Sequence, residues 1–440
     1  MKSRINGSAS GMRGIAIVCL TGLLLAACGT STANNSGTNT ASAPGITATD
    51  ITIGSTQPLT GRAAPGYSEI APASNAYFVY LNQHGGVYGR KILYEYADDG
   101  YNPTNTASLT RKLILETKVF AMFSALGTPT HLSVIDYINS EKVPDVFVSS
   151  GCNCWNNVSK YPYTFGFQPD YTIEGKILAQ YIQQNLNGKK VGYFYQNDEF
   201  GLDGVKGLDA QLGASSVPSG SRQYYSPGPT SVASQISALQ AAGVQVVVSF
   251  SIPAYTALAL LAAAKYGYHP TWVVSNVGSD ITTLTGLLKQ FSQGAVGGQL
   301  LGGMVTDTYL PLVGDSSNAW ITLFKRIHDQ IIPGLPWDGN VLYGMVQAYT
   351  MAQALKAAGR NPTRASFVKT LESTKLSGGP GLVPFGYASD NHLGYLGVQV
   401  AIIAADGTEA TNGPVYTSSD SGPISQYGGS TASPPTNGIP

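Results

Sequence analysis

Charge is scarce in this chain. Its 440 residues hold 25 lysines and arginines against 25 aspartates and glutamates, 11% of the sequence together. No basic stripe runs through it, so a nucleic-acid partner is not expected. Cysteine is rarer, at four, and the five histidines (His84, His131, His269, His328 and His392) are scattered. A zinc site takes about four ligands. None of these histidines lies close in sequence to Cys152 or Cys154, so neither a metal nor another cofactor is expected. No phosphate-binding P-loop, no G-x-G-x-x-G after a strand, no G-x-S-x-G and no H-E-x-x-H occurs. Gly201, Gly204 and Gly207 recur every three residues, which is not the dinucleotide spacing. Asp98-Asp99 resembles an acid–base pair, but adjacent strand residues face opposite ways, so both are read as loop caps. An enzyme is therefore not the expectation, although a nucleophile assembled from distant residues would leave no motif.

Long apolar runs are missing too. The longest, Ile15 to Ala27, is interrupted by Cys19, Thr21 and Gly22. It falls short of the roughly 20 residues that span a bilayer. It follows Lys2, Arg4 and Arg13, with no acid before it, which is the layout of a secretory signal over residues 1–27. Leu25-Ala26-Ala27-Cys28 resembles a lipobox, which makes Cys28 the expected lipidation site and the membrane a partner through that lipid. Each buried methylene of an acyl chain contributes about 0.8 kcal/mol, so two or more chains anchor firmly. Residues 28–47 are nearly all small and polar and read as a flexible tether. Residues 412–440, rich in Ser, Gly, Thr and Pro, read as a disordered tail. Secretion permits a disulfide; Cys152 and Cys154 as a local bridge, as free thiols or as metal ligands remain open. The expected location is the outer face of the cell membrane, or the periplasm.

What is abundant is tyrosine, at 26 residues, with short apolar runs alternating with helical stripes. Ile51–Gly54, Lys91–Asp98, Val119–Ser124 and Asp145–Val148 read as strands, separated by helices over 67–83, after Asn102-Pro103 and from about Pro129. The pattern repeats. Strands are expected at Val191–Tyr195, Val244–Phe250 and Trp272–Ser275, and helices at Gly201–Leu212 and Ala254–Lys265. Two blocks, near 50–167 and 168–302, imply an α/β protein of two doubly wound parallel-sheet lobes. Long helices near 318–331 and 338–358 and short strands near Val383–Phe385 and Gly397–Ile403 follow.

At this level the chain resembles the leucine/isoleucine/valine-binding protein family, the type I solute-binding proteins of ABC importers, over about residues 48–410. The resemblance rests on several segments in order. Ile51-Thr52-Ile53-Gly54 is followed by Pro58-Leu59-Thr60-Gly61. The turn Asn82-Gln83-His84-Gly85-Gly86-Val87-Tyr88-Gly89 comes next, then Asp98-Asp99 with Asn102-Pro103, and Asn197-Asp198-Glu199-Phe200-Gly201. It implies two lobes joined by a three-strand hinge, crossing near Phe167-Gln168, Gly302-Gly303 and Gly378-Gly379. Lobe 1 would then be 48–167 and 303–378, and lobe 2 would be 168–302 and 379–411. A small-molecule solute would bind between the lobes, a monomer would present it to permease subunits, and closure would be a hinge motion.

Matching positions gives candidate ligand-binding residues. From lobe 1 these are Tyr67, the loop Ser124, Ala125, Leu126, Gly127 and Thr128, and the loop Ser149, Ser150, Gly151 and Cys152. Ala125 stands where the family carries a serine, leaving Thr128 and the amides of Leu126 and Gly127 as donors to a carboxylate. From lobe 2 they are Phe200, Phe250, Ser251 and Asn276. Tyr255 and Trp155 are weighed as pocket walls or as packing. Asn276 falls where amino-acid binders commonly carry an acid for the ligand's ammonium, and a buried unpaired ammonium costs several kcal/mol. The expected solute is therefore a small carboxylate, an aromatic acid or an amide-like molecule. A ligand-sensing lipoprotein of the same fold, working with a membrane signalling partner, is the competing reading; a hydrolase is the weaker one.

Overall fold

The computed structural model describes residues 37–376 and 379–440. The signal segment, Cys28, the first part of the tether and Gly378 lie outside the described residues. Among the described residues thirteen strands form two sheets. The first contains β1 (Asp50–Gln57), β2 (Lys91–Asp98), β3 (Ala121–Phe123), β4 (Asp145–Val148) and β5 (Thr164–Gly166), in the order β2-β1-β3-β4-β5 and parallel throughout. The second contains β6 (Val191–Gln196), β7 (Arg222–Tyr225), β8 (Val246–Phe250), β9 (Thr271–Val274), β10 (Val305–Thr308), β11 (Gly397–Ile403), β12 (Glu409–Thr417) and β13 (Ser425–Tyr427). Its order is β13-β12-β11-β10-β9-β8-β6-β7. The strands from β7 to β10 pair in parallel, whereas β11, β12 and β13 add on antiparallel.

The local chemistry explains these elements. All five residues of β8, Val-Val-Val-Ser-Phe, are buried, as a strand covered on both faces must be. Helices start where an Asp or Asn side chain takes up free amide groups. Asn102 accepts from Thr104 and Asn105. Asp170 accepts from Thr172 and Ile173, and Asn318 from Trp320 and Ile321. Asp98 and Asp99 act as the loop caps the sequence suggested. Asp98 accepts from the amides of Leu59, Thr60 and Gly100, and Asp99 from Tyr101 N and the Thr106 hydroxyl.

The glycines at 204 and 207 bring helices together rather than binding a cofactor. A Cβ on Gly207 would lie 2.2 Å from the Thr172 carbonyl oxygen, and one on Gly175 would lie 2.4 Å from the Gly204 carbonyl oxygen. Helices Tyr171–Asn185 and Glu199–Leu212 can lie this close only without those side chains.

Several expectations need correction. The second crossing is not at Gly302-Gly303. Gly303 turns with φ 83° and donates to Ile403 O on β11, so β10 still belongs to the second sheet and the chain leaves it at Tyr309. The third crossing is not at Gly379. Residues from there stay on the first lobe, where Tyr387 Oη donates to Gly166 O and Tyr395 N to Phe167 O; the chain crosses into β11 at Leu396. No strand forms at Val383–Phe385, because Pro384 lacks an amide hydrogen for a ladder. Phe385 packs instead among Phe147, Phe167, Tyr387 and Tyr395.

Residues 412–440 are not a disordered tail. They complete β12, form β13 and then lie on the first lobe, where Trp320 Nε1 donates to Ala432 O and Tyr77 Oη to Gly438 O. Nor is residues 37–47 a free tether. The buried Arg90 donates to the carbonyls of Thr40 and Thr47, which replace water for the main chain of this polar stretch.

Gly207→Ala is expected to destabilise the protein by about 1–3 kcal/mol, the usual cost of overpacking. Urea unfolding would measure it; an unchanged midpoint would mean the helices can separate freely.

Candidate functional site

A cavity lies between the lobes, with about 190 Å³ open to the centre of a water molecule. The first lobe contributes Tyr67, Tyr101, Leu126, Gly127, Thr128, Ser149 and Tyr343. The second contributes Phe200, Ile252, Asn276, Asp280, Asp307 and Glu409. Gln168, Tyr171 and Tyr309 come from the crossings. The lobes touch around it. Tyr67 Oη donates to Val277 O at 2.8 Å, Gly339 N to Asp280 Oδ2 at 3.0 Å, and Asn340 Nδ2 to Thr283 Oγ1 at 3.2 Å. Gln196 Nε2 reaches Tyr101 Oη at 3.3 Å on another side.

Of the residues named from the sequence, Tyr67, Leu126, Gly127, Thr128, Ser149, Phe200 and Asn276 line the cavity. The others sit one layer behind. Ser124 is fully buried and donates to Gln347 Oε1 at 2.6 Å. Ala125 is buried beside it. Ser150 Oγ pairs with Thr128 Oγ1 at 2.7 Å. Gly151 packs under Pro169 and Tyr171, and Phe250 under Gly204. Ser251 Oγ bonds Ser249 and Thr256. Cys152 and Cys154 form a disulfide with S–S 1.99 Å. Trp155 and Tyr255 are packing residues. Trp155 is buried and donates to Ser150 O, and Tyr255 stacks on Tyr225 with centroids 3.9 Å apart.

The amides expected to bind a carboxylate are occupied. Leu126 N donates to Thr56 O and Gly127 N to Ser149 O, because the loop bridges the ends of β1 and β4. Two non-glycine residues here take left-handed backbone, Ser124 at φ 59° and Phe147 at φ 62°. Such strain costs of order 1–3 kcal/mol per residue and collects where a site must be aimed. Gln347 offsets part of it. Its Nε2 donates to Phe147 O and lies within hydrogen-bond distance of Ser149 Oγ and Tyr343 Oη, while its Oε1 accepts from Ser124.

Asn276 is not without an acid. Its Nδ2 donates to Glu174 Oε1 at 3.0 Å and to Asp307 Oδ2 at 2.9 Å, and its main-chain N to both carboxyls at 3.0 and 3.2 Å. Glu174 is raised well above the usual carboxylate range by burial, then by the Asp307 charge. Asp307 is raised too, by burial, and is held down by its hydrogen bonds to Glu174 and Asn276. Two charges this close and this buried repel, so the pair favours holding a proton between them. Sequence matching missed both, although Asp307 had a signal: an acid in the middle of the strand Val-Thr-Asp-Thr. Asp280 caps the helix Ile281–Phe291 and also faces the cavity. Among the described residues the lining has three acids and no Lys, Arg or His. Among the described residues no cluster of three or more His, Cys, Asp or Glu could hold a metal, and no helix is long and apolar enough to cross a membrane.

Two doubly wound lobes, three crossings and a lined cavity between them define a two-lobed solute-binding protein. The chain belongs to the periplasmic binding protein family, whose model matches residues 50–408. That family is extracytoplasmic, binds small solutes and works with ABC transporter components; its fold is that of solute-binding proteins, not of an enzyme class. The chain is 24% identical over 343 residues to Leu/Ile/Val-binding protein homolog 8 of Brucella abortus (strain 2308), covering 73% of this chain and 81% of that protein. It is 21% identical over 207 residues to Leu/Ile/Val-binding protein homolog 3 of Brucella melitensis, covering 45% of this chain and 53% of that protein, about half its length. Among solved structures, a fatty acid ABC transporter substrate-binding protein from Thermomonospora curvata superposes with TM-score 0.74 at 21% identity, covering 86% of this chain and 95% of that chain. A branched chain amino acid ABC transporter protein from Thermus thermophilus with bound valine superposes with TM-score 0.72 at 18% identity, covering 84% and 97%. These structures establish the fold.

Glu409 is pushed up to about 7 by burial, then by the charges of Asp280 and Asp307. Its unfolded value is about 4.3. A carboxyl raised on folding favours the native state most below its unfolded pKa, and that contribution is lost as pH rises through the folded value. Glu409→Gln removes the term. The variant is expected to match the parent near pH 4 and to exceed it in stability at pH 8, in urea midpoints taken across that range; a constant gap would show that Glu409 is not shifted.

Proposed function

We propose that this protein captures a small solute carrying a basic nitrogen and an apolar or aromatic body, amino acids included, and delivers it to an ABC importer from a lipid anchor on Cys28, acting as a monomer. The carrying observation is the charge of the cavity. Asp307, paired with Glu174 through Asn276, lines it, Asp280 and Glu409 face the same space, and among the described residues no cationic side chain lines it. A solute with only a carboxylate would meet like charge and no free loop amide at 126 or 127. An ammonium or amidinium would pair with Asp307 and also relieve its burial. Tyr67, Tyr171, Tyr309 and Tyr343 supply flat walls, and the protonated hydroxyls of Tyr171 and Tyr309 supply donors. The hydroxyls of Thr128 and Ser149 would receive the carboxylate of a zwitterion. This reading replaces the acids and neutral amides favoured by sequence matching. It agrees with what the Thermus thermophilus neighbour binds, valine, rather than with the fatty acid named for the Thermomonospora curvata protein.

Bound solute raises stability by mass action. In a thermal-shift screen, amines and amino acids are expected to raise the melting temperature, whereas matched carboxylic acids and amides without a basic nitrogen are not. Asp307→Asn is expected to weaken the best solute by tenfold or more in calorimetry, the equivalent of the roughly 1.5–3 kcal/mol of a charged hydrogen bond. Tight binding of a simple acid, unaffected by that change, would overturn the reading.

A further inference from the structure

The matched family region ends at residue 408, yet the chain continues through an ordered course that touches both lobes. On the second lobe, β12 and β13 pair antiparallel, with Val415 opposite Tyr427. The turn between them is gripped by a lysine. Lys176 Nζ donates to Ser418 Oγ and to Ser419 O, both at 2.8 Å. Lys206 adds a solvent-exposed ion pair to Asp420 at 2.9 Å, which contributes little.

The chain then passes to the first lobe. Thr431 Oγ1 donates to Gly381 O at 3.3 Å and Trp320 Nε1 to Ala432 O at 2.5 Å. Tyr80 Oη donates to Asn437 O at 2.7 Å and Tyr77 Oη to Gly438 O at 2.8 Å. Trp320 and Tyr77 are buried side chains, so these are anchors of the lobe itself. The route lies beside the hinge: Leu382, next to Gly381, donates its amide to Tyr309 O at the second crossing.

We propose that residues 418–440 are a strap, a fourth tie between the lobes that limits how far the cleft opens. The constraint is length. From Tyr427, the last paired residue of lobe 2, to Ala432, the first firmly held residue of lobe 1, there are five residue steps, at most about 17 Å fully extended. With both ends held, the lobes cannot part further at that edge without breaking an anchor. The strap therefore narrows the open ensemble and favours the arrangement in which Tyr67 meets Val277 and Asp280 meets Gly339. This requires no ligand and does not depend on which solute binds.

The test cuts the strap after folding. A protease site replaces the sequence around Gly428–Ser430 in the full chain, and cut and uncut samples are compared without added solute. Cutting is expected to increase the radius of gyration in small-angle scattering. It should also speed hydrogen exchange several-fold at the Asn276 and Gly339 amides, while β8 keeps its protection. Trp320→Phe, which removes one anchor without shortening the chain, should shift both readouts in the same direction. Superimposable scattering with unchanged exchange would overturn the proposal. So would exchange that rises equally in β8, because the segment would then stabilise the fold and not the hinge.

Discussion

A pair of buried carboxyls organises this molecule. Asp307 and Glu174 face each other almost wholly buried, and two ionised carboxyls there would repel strongly. Asn276 makes the pair tolerable by donating to both from its side chain and its main chain. The arrangement needs three elements at once: the helix Tyr171–Asn185 for Glu174, β10 for Asp307, and the turn after β9 for Asn276. The close glycine contact of that helix with Glu199–Leu212 sets its height against the sheet. Packing with no polar atoms of its own therefore decides where a carboxyl meets the cavity.

The first lobe answers with hydroxyls and strain where the second offers charge. Ser124 and Phe147 hold left-handed backbone at the ends of neighbouring strands, and Gln347 from a distant helix ties both loops together. The loops are thus rigid before any solute arrives, which lowers the entropy a solute must give up the protein's share of. The disulfide between Cys152 and Cys154 extends that rigidity. It holds Asn153 so that its amide donates to Asp203 on the second lobe at 2.8 Å.

The two-lobed α/β architecture was readable because it rests on period and order. β2, β4 and β11 fall on the residues their patterns mark, and Asn102-Pro103 opens a helix as its chemistry requires. The site was readable only in part. Residues at strand ends, such as Thr128 and Asn276, could be placed by matching loops. Glu174 could not, because an acid in the first turn of a helix looks like an ordinary partner of the helix dipole until the helix is docked. The crossings were misplaced because glycine was read as a hinge, whereas Gly303 is a turn feeding β10. The polar segment 412–440 misled for a related reason. Its small residues bury little of their own, and its order comes from Lys176, Trp320, Tyr77 and Tyr80, hundreds of positions away in part.

Lobe closure then becomes a matter of small differences. A hydrogen bond exchanged from water contributes only about 0.5–1.5 kcal/mol net. The contacts of Tyr67 with Val277, Gly339 with Asp280 and Asn340 with Thr283 therefore amount to a few kcal/mol at most. Gathering acids at the cleft opposes them, since Asp280 sits near Glu409 and near the Glu69–Asp338 pair, where Asp338 is pushed up to about 9 by burial and by those neighbouring charges. A cationic solute changes the sign of that balance. It turns the repulsion that resists closing into attraction, and it does so only when both lobes surround it. Differential contact of this kind is what allows a ligand to shift a two-state hinge. On the proposed reading, a neutral solute of the same shape would gain the apolar contacts but leave the acids unpaired, so the cavity's charge would discriminate at the step of closing as well as at the step of binding.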